Sequence, residues 1–291
     1  MSDLAALLPI AQAAVDEAAD LARTQAPGVL TPKGYRDYAS ELDFRIERRV
    51  REFLHRQTPG VPFVGEEENG APADKAEWWT LDPIDGTVNF AHAVPLCAVS
   101  LALVRDGQPV LGVVDLPLLG ARYWASVGQG PHRDRSPLRV RDVDRLDDAV
   151  LAIGDYAVGD HADERNRVRL QLTQLLAGQA LRVRMFGSAA LDLAWLAEGK
   201  VDASITLSNR SWDVAAGVVA RKAGARVLDR RRQRVLDRLK LHHRRKPRTL
   251  RRGDGARPGR HASQAVRLTH VTDRTQCWCP VSPDARRFGT S

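Results

Sequence analysis

Two aspartates follow a short apolar run in the segment Asp82-Pro83-Ile84-Asp85-Gly86-Thr87, which carries the clearest chemistry of the chain. Residues 78–81 predict a buried strand, and carboxylates at the end of such a strand need a compensating charge. Pro83 favours an extended backbone at Asp82, so both carboxylates can converge on one point. The amides of Gly86 and Thr87 are predicted to open a short helix, which can bind an anion. The segment therefore predicts a place where hard cations and a phosphate meet, with an ordinary turn as the alternative.

Three further acidic positions have a plain structural interpretation beside the chemical one. Glu66, in Gly65-Glu66-Glu67-Glu68, is typical of a solvated turn. Asp213 comes at a predicted helix start, where an acid interacts favourably with the helix dipole. Asp43, with Glu47 one turn later, is typical of a solvated helical face. No Ser/His/Asp set, paired Cys motif or glycine-rich nucleotide loop is evident, and Cys277-Trp278-Cys279 lacks the second ligand pair of a zinc site.

Taken together, three segments resemble the signatures of the inositol monophosphatase family. In chain order they are Gly65-Glu66-Glu67, the segment Asp82 to Phe90, and Trp212-Asp213-Val214-Ala215-Ala216-Gly217. That family consists of magnesium-dependent, lithium-sensitive hydrolases of phosphate monoesters. The resemblance covers about residues 1–228 and implies a layered α-β-α-β-α sandwich of the sugar-phosphatase type.

The resemblance also implies roles for individual residues. The ligands of two Mg²⁺ ions would be Glu66, Asp82, the Ile84 carbonyl, Asp85 and Asp213. Asp43 would help to hold a further, weaker magnesium, and Thr87 would orient the attacking water together with Glu66 and a metal. The amides of Gly86 and Thr87 would bind phosphate, while Gly187, Ser188 and Ala189 would contact the alcohol part of the substrate. Lys33 corresponds to a loop lysine of the family, although its spacing to Asp43 differs.

The implied chemistry is physically consistent with these residue types. Monoester hydrolysis is so slow that an enzyme must supply on the order of 20 kcal/mol or more. Magnesium prefers oxygen ligands, which suits four carboxylates and one carbonyl without His or Cys. The sequence therefore predicts metal-assisted hydrolysis of a small phosphate monoester by water, without a side-chain nucleophile.

One departure from the family concerns the substrate. Seven residues before the motif aspartate, the well-known inositol phosphatases carry a glutamate that binds ring hydroxyls, and Thr206 stands there in this chain. A hydroxyl contacts a polyol but supplies no carboxylate acceptor. Inositol monophosphate is the leading substrate by family frequency, with histidinol phosphate, fructose 1,6-bisphosphate and 3′-phosphoadenosine phosphate as alternatives.

A second departure is the basic C-terminal segment, residues 229–291. It contains 18 Lys and Arg against 5 Asp and Glu, while the remainder of the chain is mildly acidic. Such an asymmetry is typical of a nucleic-acid-binding arm. The segment lacks interleaved aromatic residues and has 16 Arg but only two Lys, so we do not expect a nucleic-acid partner. We predict instead a disordered segment translated from a shifted reading frame; an inactive truncated homologue is the other alternative.

The elements that must position these residues follow from hydrophobic periodicity. We expect helices over residues 1–25 and 41–56, strands over 61–64 and 78–81, and a hairpin from Cys97 to Asp115 through Asp106-Gly107. Beyond a strand at 121–127, strands and helices alternate from about residue 148 to 228. The predicted parts are 1–147 (α+β with the metal site), 148–228 (α/β) and 229–291 (basic tail).

Composition limits the class of protein. Three cysteines in 291 residues exclude a disulfide framework, and no uncharged apolar run reaches about 18 residues. The acidic N-terminal segment does not resemble a secretory signal. We therefore expect a cytoplasmic enzyme without a membrane partner, and we leave open whether it forms a homodimer.

Overall fold

The computed structural model describes residues 3–67, 76–207 and 214–225. The helices in these ranges are α1 (Leu4–Thr24), α2 (Glu41–Gln57), α3 (Thr87–Ala91), α4 (Ala162–Ala177), α5 (Ala189–Glu198) and α6 (Val214–Lys222). The strands are β1 (Leu30–Gly34), β2 (Asp37–Ser40), β3 (Phe63–Gly65), β4 (Glu77–Asp85), β5 (Ala98–Arg105), β6 (Gln108–Leu116), β7 (Ala121–Ser126), β8 (Gln129–Arg133), β9 (Ser136–Pro137), β10 (Val150–Ile153), β11 (Arg182–Arg184) and β12 (Ala203–Ile205).

A seven-stranded sheet with the order β3-β4-β5-β6-β7-β8-β9 forms the centre of the described structure. The β3 and β4 strands run parallel, and every later neighbouring pair is antiparallel. Asp106 and Gly107 join β5 to β6, and both have positive φ angles, 51° and 69°. Such a turn matches the twist of the flanking strands, which is why an Asp-Gly pair predicted this hairpin correctly.

Helices cover both faces of this sheet. Alternate residues of β5 point to opposite sides, so Leu101 and Leu103 pack against α1 and α2 while Ala98 and Ala102 pack against α5 and α6. On α2 the buried apolar residues recur every three or four positions, which gives the helix one apolar face. Burial on both faces explains why β5 reads as a continuous apolar run.

A second, smaller sheet lies beyond α5. Its order is β11-β10-β12, and all three strands run parallel. Ala152 of β10 packs into the core that includes α5, whereas Leu151 and Ile153 pack with Leu176 of α4. The layers are therefore α1 and α2, the large sheet, α5 and α6, the small sheet, and α4. This arrangement confirms the α-β-α-β-α sandwich implied by the sequence.

The predicted helices and the central strands lie where the sequence placed them, within a few residues at their ends. The β1–β2 hairpin and the strands β8 and β9 were not predicted from the sequence. The last of the predicted alternating elements, a strand at residues 225–228, lies outside the described residues apart from Ala225, and so does the basic segment 229–291. Among the helices that the structure describes, none combines the length and the apolar character needed to cross a membrane.

Candidate active site

Both motif aspartates of the central segment belong to β4, which extends four residues beyond the predicted strand. Asp82 pairs with Ser100 and Asp85 with Ala98, so three steps along β4 oppose two along β5. This irregularity is a β-bulge, and Pro83, which has no N–H to give to the ladder, lies inside it. Asp82 is buried and only 3% exposed. The bulge thus ends the strand and delivers two carboxylates to one edge of the sheet.

Gly86 makes the turn from β4 into α3, and only glycine fits there. Its φ is +93°, and a Cβ atom would lie 3.0 Å from the Leu96 carbonyl oxygen and 3.1 Å from that of Gly187. The short helix predicted after this glycine begins at Thr87. The motif therefore needs glycine for its backbone conformation and for the close approach of two other chain segments.

Asn89 and Asp85 join this turn to the N-terminus of α5. The Asn89 side-chain amide donates to the carbonyls of Leu96 (2.8 Å) and Phe186 (2.7 Å). The Asp85 carboxylate accepts from the Ser188 hydroxyl (2.7 Å) and from the Ala190 amide (2.5 Å). These bonds place Gly187 and Ser188 beside the Asp82–Thr87 segment, about a hundred residues away in the chain. The role of Asn89 was not predicted from the sequence, although the residue lies inside the segment Asp82 to Phe90.

Asp43 and Thr87 meet at the start of α2. The Ser40 side chain accepts a hydrogen bond from the Asp43 amide, and the Asp43 carboxylate accepts from both the amide and the hydroxyl of Ser40. This reciprocal cap fixes the Asp43 side chain. The Thr87 hydroxyl donates to the Ile84 carbonyl at 3.1 Å and lies 3.4 Å from Asp43 Oδ1. Asp43 is 1% exposed, so its interpretation as part of a solvated helical face is wrong.

Glu47, one turn after Asp43, is completely buried. Its carboxylate pairs with Arg51 at 2.6 Å and accepts the Glu67 amide at 2.8 Å. A Cβ atom on Gly65 would lie only 2.0 Å from the Glu47 carboxyl carbon. Gly65 is therefore required because the chain passes directly over a buried carboxylate. Neither role was apparent from the sequence.

Lys33, on the β1–β2 hairpin, faces the segment that follows β3. Its ammonium donates to Glu66 Oε1 at 2.6 Å and to Glu67 Oε1 at 3.0 Å. The side chain of Glu67 is 1% exposed and that of Glu66 is 22% exposed. A fully solvated turn, the alternative for this segment, is thus excluded for Glu67. Glu68 lies outside the described residues.

The electrostatics of this region are those of crowded, buried acids. Burial raises the pKa of Asp43 to about 6, although hydrogen bonds from Ser40 oppose the shift. Burial likewise raises the pKa of Asp85 to about 6 and that of Glu67 to about 7, and the charge of Glu66 raises both further. Burial alone would lower the pKa of Lys33, but Glu66 and Glu67 hold it above its usual range. Such a site favours cations.

Other predicted substrate residues lie at the small sheet and at α5. Gly187 has a φ of +76° and packs against Asn89, while the Ser188 hydroxyl caps α5 by accepting from the Leu191 amide at 3.2 Å. Ala189 is the first residue of α5. Thr206 directly follows β12, and a Cβ on Gly154 would lie 3.1 Å from its methyl group.

The structure thus brings most of the predicted set into one region. The charge of Glu66 acts on both Asp43 and Asp85, and Asp82, Ile84, Gly86 and Thr87 lie in the same bulge and turn. Asp213 lies outside the described residues. Within the described ranges, no three His, Cys, Asp or Glu side chains are arranged to hold a metal ion. Lys33, Ser40 and the N-terminus of α5 donate hydrogen bonds to Glu66, Asp43 and Asp85.

Comparisons with known proteins agree with this arrangement. The model of the inositol monophosphatase family matches residues 3–273, which extends past residue 228. The inositol-1-monophosphatase ImpA of Mycolicibacterium smegmatis is 38% identical over 194 residues, covering 66% of this chain and 70% of that protein. A Thermotoga maritima protein, fructose-1,6-bisphosphatase/inositol-1-monophosphatase, is 32% identical over 197 residues, covering 67% and 73%.

A solved structure shares the architecture. The extragenic suppressor protein suhB from Bartonella henselae superposes with a TM-score of 0.70 and 31% identity, covering 75% of this chain and 85% of that one. The family match spans far more than half of the chain. This chain therefore belongs to the inositol monophosphatase family, a family of phosphoric monoester hydrolases.

Proposed function

We propose that this protein hydrolyses a small phosphate monoester, with inositol monophosphate as the leading substrate and Mg²⁺ as the cofactor. The observation that carries the proposal is the convergence of three acids from distant segments beside the Gly86 turn, where the charge of Glu66 acts on both Asp43 and Asp85. Crowding of this kind is unfavourable unless cations or protons compensate it. An active site is where such an arrangement is expected.

The donor set fits magnesium. Oxygen atoms are its preferred ligands, and the residues that would hold it are Glu66, Asp82, the Ile84 carbonyl, Asp85 and Asp213. One buried oxygen of Glu67 has no hydrogen-bond partner among the described residues, and burial raises the pKa of the nearby acids. When bound, magnesium supplies activation of a water molecule and neutralisation of charge on the phosphate.

The chain itself would contribute orientation. The Thr87 hydroxyl is held by the Ile84 carbonyl and by Asp43, which is in turn fixed by Ser40. In our proposal this hydroxyl and Glu66 orient the attacking water, while the amides of Gly86 and Thr87 bind the phosphate. Asp43 would also help to hold a further, weaker magnesium ion. Gly187, Ser188, Ala189 and Thr206 would contact the alcohol part of the substrate.

The substrate within this class is a finer question. Thr206 supplies a hydroxyl where a carboxylate acceptor was expected, so histidinol phosphate, fructose 1,6-bisphosphate and 3′-phosphoadenosine phosphate remain alternative substrates. One relative carries both fructose-1,6-bisphosphatase and inositol-1-monophosphatase in its name. We further propose a cytoplasmic location. A homodimer is the assembly to be tested.

The test is phosphate release from these four esters and from glycerol 2-phosphate, with Mg²⁺ and with EDTA. We expect Mg²⁺-dependent release, and preference for inositol 1-phosphate over glycerol 2-phosphate of less than a thousandfold, because one acceptor is missing. Phosphate release that persists in EDTA would contradict the proposed dependence on Mg²⁺. The absence of phosphate release from every ester would favour an inactive homologue. Salt-sensitive binding to nucleic acid without hydrolysis would favour the rival function of the basic segment.

A further inference from the structure

The carboxyl ends of β10 and β12 meet at one edge of the small sheet, next to the proposed substrate residues. The two strands are parallel, with Ile153 opposite Ile205, and the Gly154 amide donates to the Ile205 carbonyl at 2.9 Å. Thr206 directly follows β12 and lies opposite Gly154, which directly follows β10; Asp155 is the next residue after Gly154. Ligands of open α/β sheets bind outside this end of the strands.

Gly154 shows how close these two segments are. A Cβ atom at this position would lie 3.1 Å from the Thr206 methyl group, tighter than ordinary packing. A residue with a side chain would push the Thr206 segment away from β10. The glycine thus keeps the backbone that leads into Asp155 against Thr206, and both segments border the same edge of the small sheet.

Asp155 has the properties of a ligand-binding carboxylate. It is exposed, and among the described residues its carboxylate makes no hydrogen bond and no ion pair. The parallel strand β11 ends at Arg184 at the same edge of the sheet, and four residues later the Ser188 hydroxyl bonds to Asp85, which places this edge beside the proposed metal site. The charge of Asp155 raises the pKa of Asp85 and of Asp192, in agreement with this position. Asp192 is 1% exposed, and one of its oxygens has no hydrogen-bond partner within the described part of the chain. The Asp155 side chain has no evident role in holding the fold together.

We infer that Asp155 is a specificity-determining residue that accepts hydrogen bonds from the hydroxyl groups of a polyol phosphate, in place of the carboxylate that Thr206 does not supply. The inference rests on the proposed function, since it assigns the alcohol side of that same site. An ionised carboxylate accepts only, and neighbouring hydroxyls of a polyol present donors to both of its oxygens. A monoester without hydroxyl groups has no donor for it.

The test compares two esters in two variants. We expect Asp155→Asn to lower the ratio of kcat/KM for inositol 1-phosphate to kcat/KM for phenyl phosphate by about tenfold, because hydrogen bonds to a charged acceptor are lost. Asp160→Asn is the matched control: it removes an exposed aspartate from the same loop and leaves the ratio unchanged. In the Asp155→Asn background, we expect Thr206→Glu to restore most of the ratio, because it supplies a carboxylate from the neighbouring segment of backbone.

Other results would overturn the inference. An unchanged ratio in Asp155→Asn would show that this carboxylate does not contact the alcohol part. An equal decrease for both esters would assign Asp155 to the shared phosphate or metal site. If Asp155→Asn lowers kcat/KM only for phosphoethanolamine, an ester with an ammonium group, Asp155 would recognise a cationic substrate instead. Failure of the wild-type protein to hydrolyse any ester would reject the proposed function itself, and this inference with it.

Discussion

The two sides of the proposed site are built in opposite ways. The β4 side consists of buried or partly buried acids and one hydroxyl, most of them bonded to fixed protein groups: Glu66, Asp82, Asp85 and Thr87, with Asp43 behind them. The β10 side, made of Asp155 and Thr206, consists of accessible side chains at strand ends. The first is held in place by a bulge, a glycine turn and two helix starts. The second is positioned only by backbone pairing and the absence of a Cβ on Gly154.

This difference matches two different tasks. Fixed, desolvated charges suit a reaction centre, because preorganised groups need no rearrangement when the charge of the substrate changes. Unpartnered groups at strand ends suit the recognition of a variable part of the substrate, because replacing them leaves the framework intact. We therefore expect substitutions on the β4 side to affect every substrate and those on the β10 side to affect the choice among substrates.

The largest expected effect is that of Asp85→Asn. The substitution keeps the shape and the hydrogen bonds from Ser188 and Ala190 but removes the charge, so we expect kcat/KM to fall by more than about a hundredfold on every ester. Asp213→Asn should behave in the same way if that residue is a ligand. In both variants the rise in melting temperature on addition of Mg²⁺ should also disappear.

A buried aspartate elsewhere serves as the control. Asp115→Asn introduces an amide at a position that is 4% exposed and bonded to Arg122, on β6, two strands away from Asp85 in the sheet. It should lower stability without lowering kcat/KM by more than about threefold. If Asp85→Asn retains more than about a tenth of the activity, under about 1.4 kcal/mol of transition-state stabilisation was lost. Asp85 would then not be a metal ligand.

Next in size is the effect of Gly65→Ala, which tests whether the β4 side depends on close packing over a buried acid. The new methyl group would overlap the carboxyl group of Glu47, so we expect the free energy of unfolding to fall by about 3 kcal/mol, measured by urea denaturation. Gly60→Ala is the control, since a Cβ at Gly60 meets nothing within 4 Å. A loss of the same size in the Glu47→Ala background would show that contact with Glu47 is not the cause.

The same contrast explains what the sequence could predict. Asp82, Asp85 and Gly86 were identified because a motif places them together within five residues, and the helices followed from periodicity. Glu47 and Asn89 were missed because their importance lies in contacts with segments that are remote in the chain. The β1–β2 hairpin was missed because all of β1 is exposed, so it has no apolar alternation. Asp155 could not be identified from the sequence, because only the pairing of β10 with β12 brings it near Thr206, about fifty residues away in the chain.

The smallest expected effect concerns Asp192, whose pKa is raised by charges from both sides of the site. It lies in the first turn of α5, and burial raises its pKa to about 8, with further contributions from the charges of Asp85 and Asp155. The ordinary pKa of an aspartate is near 3.8. Between these two values the folded protein holds a proton that the unfolded chain has released, so stability falls as the pH rises from about 4 to about 8.

Asp192→Asn should remove this dependence. An amide has nearly the same shape and no charge, so in metal-free protein we expect the variant to unfold with a free energy about 1 to 3 kcal/mol higher than wild type at pH 8, and about equal at pH 4.5. Urea denaturation in EDTA at the two pH values measures both differences. If the variant raises the free energy of unfolding equally at pH 4.5 and pH 8, the increase would come from packing. Only the loss of a titrating carboxylate makes the increase grow with pH. Asp192 would then no longer be an electrostatic link between the two sides of the site.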